Sequence, residues 1–365
     1  MFNDFYNGKK VLVTGHTGFK GSWLCNWLIS LGADVSGVSN EIPTNPSLFE
    51  ISGLASKIDH HICDVTAKTE FTTLLNKLNP DIIFHLAAQA IVSTSYENPL
   101  DTIETNALGT AILCDFLKEY ESPILCVFIT SDKCYENVEW EYGYRETDIL
   151  GGRDIYSASK ACAEILFSSY FHSFLQHNQN VRVCSARAGN VIGGGDWAKD
   201  RIVADMIDAW SAGASVKIRS PKATRPWQHV LEPLSGYLHL GERLSADQEL
   251  NGQSFNFGPK SEQNRTVIEL ANDLFSRLEP FVSASESCEI VDNKPFHEAG
   301  LLKLCCDKAL MYLSWEANLS YEHCVEFISD WFEAYLGDKN MNQVTVQQIQ
   351  RYCELARERN LVWTK

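Results

Sequence analysis

The sequence predicts an α/β protein. A doubly wound parallel sheet with helices on both faces is followed by a smaller C-terminal lobe of mixed α/β structure. Three observations predict it. Strand-like and helix-like segments alternate through the first 190 residues. The strand-like segments, such as "ILCVFIT" and "VRVCSAR", are apolar at consecutive positions, as strands buried on both faces must be. After about residue 190 glycines cluster in "GNVIGGGDW" and the alternation gives way to mixed short elements.

The elements follow in order. "VLVTG" (11–15) is a short buried strand, and "FKGSWLCNWLISLG" (19–32) has helical periodicity and stops on Gly32, a normal C-terminal signal. Trp23 and Trp27 stand four apart there and read as helix packing. "VSGVS" (35–39) and "IDHHICDV" (58–65) are the second and third strands, "EFTTLLNKL" (70–78) a helix, and "DIIFHLAA" (81–88) the fourth strand. A long helix is expected over 102–120, a fifth strand over 124–130, a second long helix over 156–177 and a sixth strand over 181–187. Beyond 190, "RIVADMIDAWSAG" and "VIELANDLFSRL" read as helices, "SVKIRS" as a strand, and "SFNFG" (254–258) as a strand returning to the first sheet. The expected division is 1–190 for the dinucleotide-binding domain, 191–340 mainly for a substrate lobe, and 341–365 for a C-terminal helix.

Composition narrows the function. A chain of 365 residues can bury a sizeable core. Its formal net charge of −16, with no basic block, argues against a nucleic-acid partner or an anionic membrane. An anionic ligand must therefore be held by a few local arginines. The 12 cysteines are scattered, with no C-x-x-C pair and no zinc-type spacing to histidine, so no metal is expected and the thiols read as free in a reducing cytoplasm. The start "MFNDFYNGKK" lacks the apolar core of a signal peptide, and no apolar run approaches the ~20 residues of a membrane span.

Two motifs carry chemistry. In "VLVTGHTGFKG", Gly15, Gly18 and Gly21 lie between the first strand and the first helix. Glycines permit the tight turn and the close approach of a pyrophosphate, which the amides at a helix N-terminus attract. This is the Rossmann arrangement, and it makes Gly15, His16, Thr17, Gly18, Phe19, Lys20 and Gly21 the cofactor loop. Ser39 and Asn40 stand where an acid would hold the adenosine ribose, so that rule does not separate NAD from NADP; no arginine follows closely, and NAD is expected. In "YSASK", Tyr156 and Lys160 share a helix face; the ammonium lowers the phenol pKa so that Tyr156 can take a proton from a hydroxyl being oxidised. Ser131 in "FITSDKCYEN" can hydrogen-bond the same hydroxyl. Asp132 and Lys133 beside it are either a solvated strand end or a second acid–base pair.

"TGHTGFKG", "HLAAQA", "TSDK" and "YSASK" resemble the extended short-chain dehydrogenase/reductase family of nucleotide-sugar epimerases and dehydratases. Through "ARAGNVIGGGDW", "DRIVAD", "TRPWQHV" and "FHEAGLLKL" the chain is similar to bacterial CDP-glucose 4,6-dehydratases, from residue 10 to about 335. The resemblance implies oxidation of the sugar at C4, loss of water across C5 and C6, and hydride return to C6, in deoxysugar (O-antigen) biosynthesis. It implies Asp132 as the acid for the leaving C6 hydroxyl. It implies Lys133 as the C5 base, or else as a group that stabilises the enolate while another moves the proton. Related dTDP-glucose enzymes carry Asp-Glu at these positions. It further implies cofactor contacts from Asp64, Val65, Leu86, Ala87, Ala88 and Gln89, and bracing of the site by Asn106. Substrate contacts are implied from Asn190, Arg201, Arg219, Arg225 and His297, with pocket shape from Asp196 and Trp197 and a nucleobase wall from "VKIR" (216–219). Arg187 reads as structural, and His229, like His297, is either a ligand or a packed core residue. The helices at about 99–119 and 156–177 form a dimer bundle in this family, so a homodimer or dimer of dimers is implied. A nucleotide-sugar 4-epimerase would share the glycine loop and Tyr156/Lys160 but would not need Asp132–Lys133. A dehydratase of another nucleotide sugar and a non-catalytic dinucleotide sensor are the remaining alternatives.

Overall fold

The computed structural model describes residues 1–221, 223–260, 263–291 and 301–365. Its strands are β1 (Lys10–Thr14), β2 (Asp34–Ser39), β3 (Asp59–Ile62), β4 (Ile82–His85), β5 (Ile124–Ile129), β6 (Val181–Ala188), β7 (Val191–Ile192), β8 (Val216–Ile218), β9 (Thr224–Pro226), β10 (Gln228–His229), β11 (Ser254–Phe257), β12 (Asn264–Thr266) and β13 (Cys288–Ile290). Its α-helices are α1 (Phe19–Ser30), α2 (Leu48–Ile51), α3 (Lys68–Leu78), α4 (Val92–Glu97), α5 (Pro99–Ile103), α6 (Gly109–Lys118), α7 (Ile155–Ser173), α8 (Ile202–Ser211), α9 (Leu231–Ala246), α10 (Val267–Leu278), α11 (Asp307–Leu313), α12 (Tyr321–Leu336) and α13 (Met341–Glu358).

Seven strands form the central sheet in the order β11-β6-β5-β4-β1-β2-β3. Every neighbouring pair in it is parallel. The strand order reverses between β1 and β4, which opens a crevice at their C-terminal ends, the place where a doubly wound sheet binds its ligand. The sheet buries both faces: Val11, Val13, Ile82 and Phe84 pack in one core, and Leu12, Ile83, Cys126 and Phe128 in the other. Consecutive apolar positions in the strands were the trace of that double burial. β11 pairs with β6 from Ser254↔Ser185 to Phe257↔Ala188, so "SFNFG" returns to the sheet as its pattern predicted. Three two-stranded sheets, β7/β10, β8/β13 and β9/β12, complete the fold, and β7, β8 and β9 line the second half of the crevice.

Two expected elements differ. The third strand ends at Ile62 rather than 65. Asp64 bends the chain there, its carboxylate accepting from the Thr66 amide at 2.8 Å and the Thr66 hydroxyl at 2.7 Å, an Asx turn that competes with the ladder. The long helix over 102–120 starts earlier, at Pro99, and contains a π turn over Glu104–Leu108. Asn106 sits in that turn, with its side chain committed to residues outside the helix.

The C-terminal helix α13 is part of the core. Tyr352 and Trp363 stack at 5.7 Å, Trp363 stacks on Phe2 at 5.5 Å, and Trp27 of α1 meets both Tyr352 and Trp363 edge-on. Trp23 and Trp27 are packing residues, as expected; removing either ring is expected to cost about 3–5 kcal/mol.

Candidate active site

The β1–α1 turn lies directly on the end of β4. Gly15 has φ +73°, and a Cβ there would stand 2.8 Å from the Ala87 amide nitrogen; a Cβ on Gly21 would stand 2.2 Å from the Gly15 carbonyl oxygen. Neither position accepts a side chain. α1 has no side-chain N-cap at Gly18, so its first amides are left for a ligand. Gly15, Thr17, Gly18, Phe19, Lys20 and Gly21 line a cavity of about 590 Å³ with Asp64, Val65, Leu86, Ala87, Ala88 and Gln89. The glycine cradle, the free helix terminus and the cavity volume fit a dinucleotide.

His16 differs from the expectation that the whole loop touches the cofactor. Its imidazole does not reach the cavity wall but turns under β2, with Nδ1 3.0 Å from the Ser39 hydroxyl and Nε2 2.6 Å from His60 Nδ1. Burial lowers its pKa to about 4, and His60 and His61 add to the effect, so the ring is neutral and acts as a structural strut. Ser39 takes the place of the expected acid. It accepts from the Thr17 amide at 3.3 Å, so the end of β2 braces the glycine loop as well as walling the cavity. Asn40, which stands beside Ser39 at the expected ribose position, and Glu41, Pro43 and Thr44 complete that wall; no residue-type signal in the sequence marked the last three.

The strand-end ledge is assembled from three elements. Ser131 caps a single 3₁₀ turn at Asp132–Cys134, accepting from the Lys133 amide at 3.2 Å and donating to Asp132 Oδ1 at 3.0 Å. Tyr156 and Lys160 rise from the first turns of α7, whose N-cap Asp154 accepts from the Ser157 amide at 2.9 Å, a cap worth about 1 kcal/mol. The Ser131 hydroxyl lines the same cavity as the Tyr156 phenol and favours its ionised form. Lys160 Nζ lies 6.0 Å from the Tyr156 ring centre.

The electrostatics correct one expectation. Burial raises the Tyr156 pKa, and the Arg201 charge and the Ser131 hydrogen bond only partly offset it. Burial also lowers the pKa of Lys160, to about 8. Lys20 is lowered to about 8 as well, by burial and then by Arg201, against the pull of Asp132 and Asp196. The cofactor cavity therefore holds two lysines of weakened basicity, Lys20 and Lys160.

A second cavity of about 570 Å³ adjoins the first, and the two share Ala90, Ile91, Asn190, Val191, Asp196 and Arg201 in their walls. Ser131, Tyr156 and Lys160 line the cofactor cavity, whereas Lys133 lines its neighbour. Asp132 is buried and lines neither cavity, its Oδ2 3.2 Å from where a Cβ on Gly189, a wall residue of the cofactor cavity, would stand. Arg201, Arg219 and Arg225 all line the second cavity, together with Lys217 and Ile218 of β8. Arg201 donates to the Ala90 carbonyl at 3.2 Å, Arg219 lies 3.8 Å from Asp200, and Arg225 donates to the Thr224 carbonyl at 2.9 Å. Asp205, on the same wall, is raised to about 6, chiefly by burial and then by Asp200.

Other predicted residues fall in place or out of it. Asn106 accepts from the Gln89 amide at 2.9 Å and donates to the Gln89 carbonyl at 3.0 Å and the Ser159 hydroxyl at 2.8 Å, joining the end of β4 to α7. Asp196 lines both cavities and Trp197 lines the first. His229 is a core residue, fully buried between Trp23 and Phe327, with a pKa lowered to about 3 by burial. Arg187 is fully committed to a buried ion pair. His297 lies outside the described residues. No group of three or more metal-ligating side chains occurs among the described residues.

A parallel sheet with its switch point under a glycine cradle, and a Tyr-Lys pair facing a strand-end serine, define a dinucleotide-dependent enzyme of the extended short-chain dehydrogenase/reductase class. Within that class, the profile of the GDP-mannose 4,6 dehydratase family matches residues 12–327, and the chain belongs to that family. It is 41% identical over 355 residues to a CDP-glucose 4,6-dehydratase of Salmonella typhimurium, with 96% of this chain and 97% of that one aligned. Among solved structures it superposes with TM-score 0.76 on a dTDP-glucose 4,6-dehydratase from Streptomyces venezuelae with NAD and TYD bound, at 19% identity, covering 90% of this chain and 98% of that one. A UDP-glucose 4-epimerase from Thermotoga maritima superposes with TM-score 0.75 at 22% identity, covering 90% and 99%.

Proposed function

We propose that the protein is an NAD-dependent hydro-lyase that converts CDP-D-glucose to CDP-4-dehydro-6-deoxy-D-glucose, a step toward deoxysugars. The observation that carries it is the seam: Ser131, Tyr156 and Lys160 on one cavity, Lys133 on the next, and Asp132 buried in the same strand-end turn. A dehydratase needs both sets, one for oxidation and one for elimination. The 41% identity to a CDP-glucose 4,6-dehydratase supports the choice of substrate.

The glycine loop and the end of β4 would hold NAD, which when bound would supply a reversible hydride acceptor for C4 and C6. Tyr156, beside Ser131 on the cavity wall, takes the proton of the 4-hydroxyl, and Lys160 supports the phenolate. Once C4 is a ketone, the C5 proton is acidic and Lys133 removes it, and the same group returns a solvent-exchanged proton to C5 when the hydride reaches C6. Asp132 delivers a proton to the departing C6 hydroxyl. Arg201, Arg219 and Arg225 fork onto the diphosphate, Asn190 reaches the substrate from the shared wall, and β8 walls the nucleobase.

The same reading places the protein in the cytoplasm as a homodimer. All twelve cysteines are free, which supports a reducing compartment. No helix among the described residues is long and apolar enough to cross a membrane. Tyr96, Leu100, Ile103 and Leu108, on α4, α5 and the π turn, and Ile165 on α7 are exposed, which supports a helical dimer face.

Turnover of CDP-glucose in D₂O with catalytic NAD tests the activity. A 4-keto-6-deoxy product, lighter by one water and deuterated at C5, is the expected outcome by mass spectrometry and NMR. A product of unchanged mass and galacto configuration would make the enzyme an epimerase, and turnover of a UDP-, dTDP- or GDP-sugar alone would reassign the base.

A further inference from the structure

Beneath the strand-end ledge lies an ion pair that the reaction does not touch. Arg187 of β6 and Glu164 of α7 meet at 2.7 Å, with side-chain exposures of 4% and 1%. Two partly desolvated charges are not placed in a core for stability alone, since packed apolar residues of the same volume serve as well or better. The pair's remaining bonds show what it holds. Glu164 accepts from the Thr130 hydroxyl, and from the Ser185 hydroxyl at 3.0 Å. Arg187 donates to the Tyr135 hydroxyl at 2.8 Å and stands 5.1 Å from the centre of that ring. The Tyr135 hydroxyl in turn donates to Asn256 of β11 at 2.8 Å.

Thr130 and Tyr135 are the residues that flank Ser131, Asp132, Lys133 and Cys134. One tether goes to each end of the ledge, and both run to the same ion pair. Glu164 also lies one helical turn beyond Lys160, on the same face of α7. We propose that the Glu164–Arg187 pair is a positioning device for the reaction: through Thr130 and Tyr135 it pins both ends of the segment that carries Ser131, Asp132 and Lys133, and it registers that segment against the turn of α7 that carries Lys160. The charges give the device its stiffness. An apolar pair would fill the space without directing two hydroxyls. The kinetic part of this inference rests on the dehydratase reading; the tethering part does not.

Thr130→Val and Tyr135→Phe each cut one tether and leave the ion pair and the packing volume in place. Hydrogen–deuterium exchange of the full-length protein is measured with steady-state kinetics on CDP-glucose. The expected result is faster exchange confined to residues 131–134, by about tenfold or more, with β2 unchanged. The kcat should fall by about 10–100-fold while KM stays within about twofold, because the arginines that hold the nucleotide are untouched. Arg187→Lys, which keeps the charge but loses the fork, should lie between wild type and Tyr135→Phe. Exchange that is unchanged or raised uniformly would overturn the proposal, as would wild-type kcat in either variant. If the wild-type protein does not turn over CDP-glucose, the substrate reading fails, and local exchange still decides whether the tethers hold the ledge.

Discussion

Glu164 and Glu232 are equally shut off from water, each about 1% exposed, yet their carboxyl groups are driven in opposite directions. Burial pushes both up. At Glu164 the Arg187 charge and the hydrogen bonds from Arg187, Thr130 and Ser185 outweigh it, and the pKa lies below the usual range. At Glu232, on the first turn of α9, the partners are the Asn318 and Leu319 amides and the Tyr352 hydroxyl. Neutral donors do not balance desolvation there, and the pKa rises to about 7. The difference is one of purpose. The region under the ledge holds a fixed charge that directs hydroxyls to either side of the proposed acid–base pair. The region under α13 uses a carboxyl as a joint between α9, the 318–319 turn and the C-terminal helix.

The largest effect should come from separating the charges. Arg187→Met leaves Glu164 ionised and unpaired in the core and is expected to cost about 3–5 kcal/mol in chemical denaturation. Glu164→Leu with Arg187→Met should recover most of that stability while leaving activity low. If the double variant is as unstable as the single one, the pair is packing and not charge.

Next in size is a pH dependence. The folded pKa of Glu232 lies above its unfolded value, so between about 4.5 and about 7 the folded state binds the proton more often, and stability falls as pH rises through that window. The full effect is about 3 kcal/mol by the usual conversion of pKa shift to free energy. Glu232→Gln should flatten that slope in melts taken across this range. Glu164 has the opposite sign: its stabilisation is present above the unfolded carboxyl pKa and is lost as pH falls through its lowered folded value. A wild-type curve that rises steadily from pH 4.5 to 7 would contradict the Glu232 assignment.

The smallest effect should be Tyr352→Phe. It removes hydrogen bonds of 3.0 Å to Glu232 and 3.1 Å to Ser235, worth about 1 kcal/mol. Tyr352 lowers the Glu232 pKa by donating to it, so its loss should carry the falling limb of the stability curve above pH 7.

The sequence made the sheet readable because its central strands are apolar on both faces and its first turn needs glycine at positions a Cβ cannot enter. Tyr156, Lys160 and Ser131 were readable because their chemistry demands fixed residue types at short spacing. Glu164, four residues after Lys160, carries no sequence signal of its own; only the fold brings Arg187 to it from β6. Arg187 read as structural, and its partner was hidden by 23 residues of chain. His16 was misplaced because a loop residue was assumed to face the ligand, whereas His60 and Ser39 draw its ring beneath β2. The π turn at Glu104–Leu108 left no periodic trace, since it is made by the side-chain bonds of Asn106 to another element. The lengths of the C-terminal strands were equally hidden, because β7 to β10 are two or three residues each.

The central claim is a division of labour, with oxidation by Ser131, Tyr156 and Lys160 and elimination by Asp132 and Lys133. Rapid mixing of Lys133→Ala with NAD and CDP-glucose, following reduced-nicotinamide absorbance and then product, tests it most directly. The account predicts that the reduced cofactor forms and persists while loss of water slows by about 100-fold or more. Product at the wild-type rate, or no oxidation at all, would contradict it.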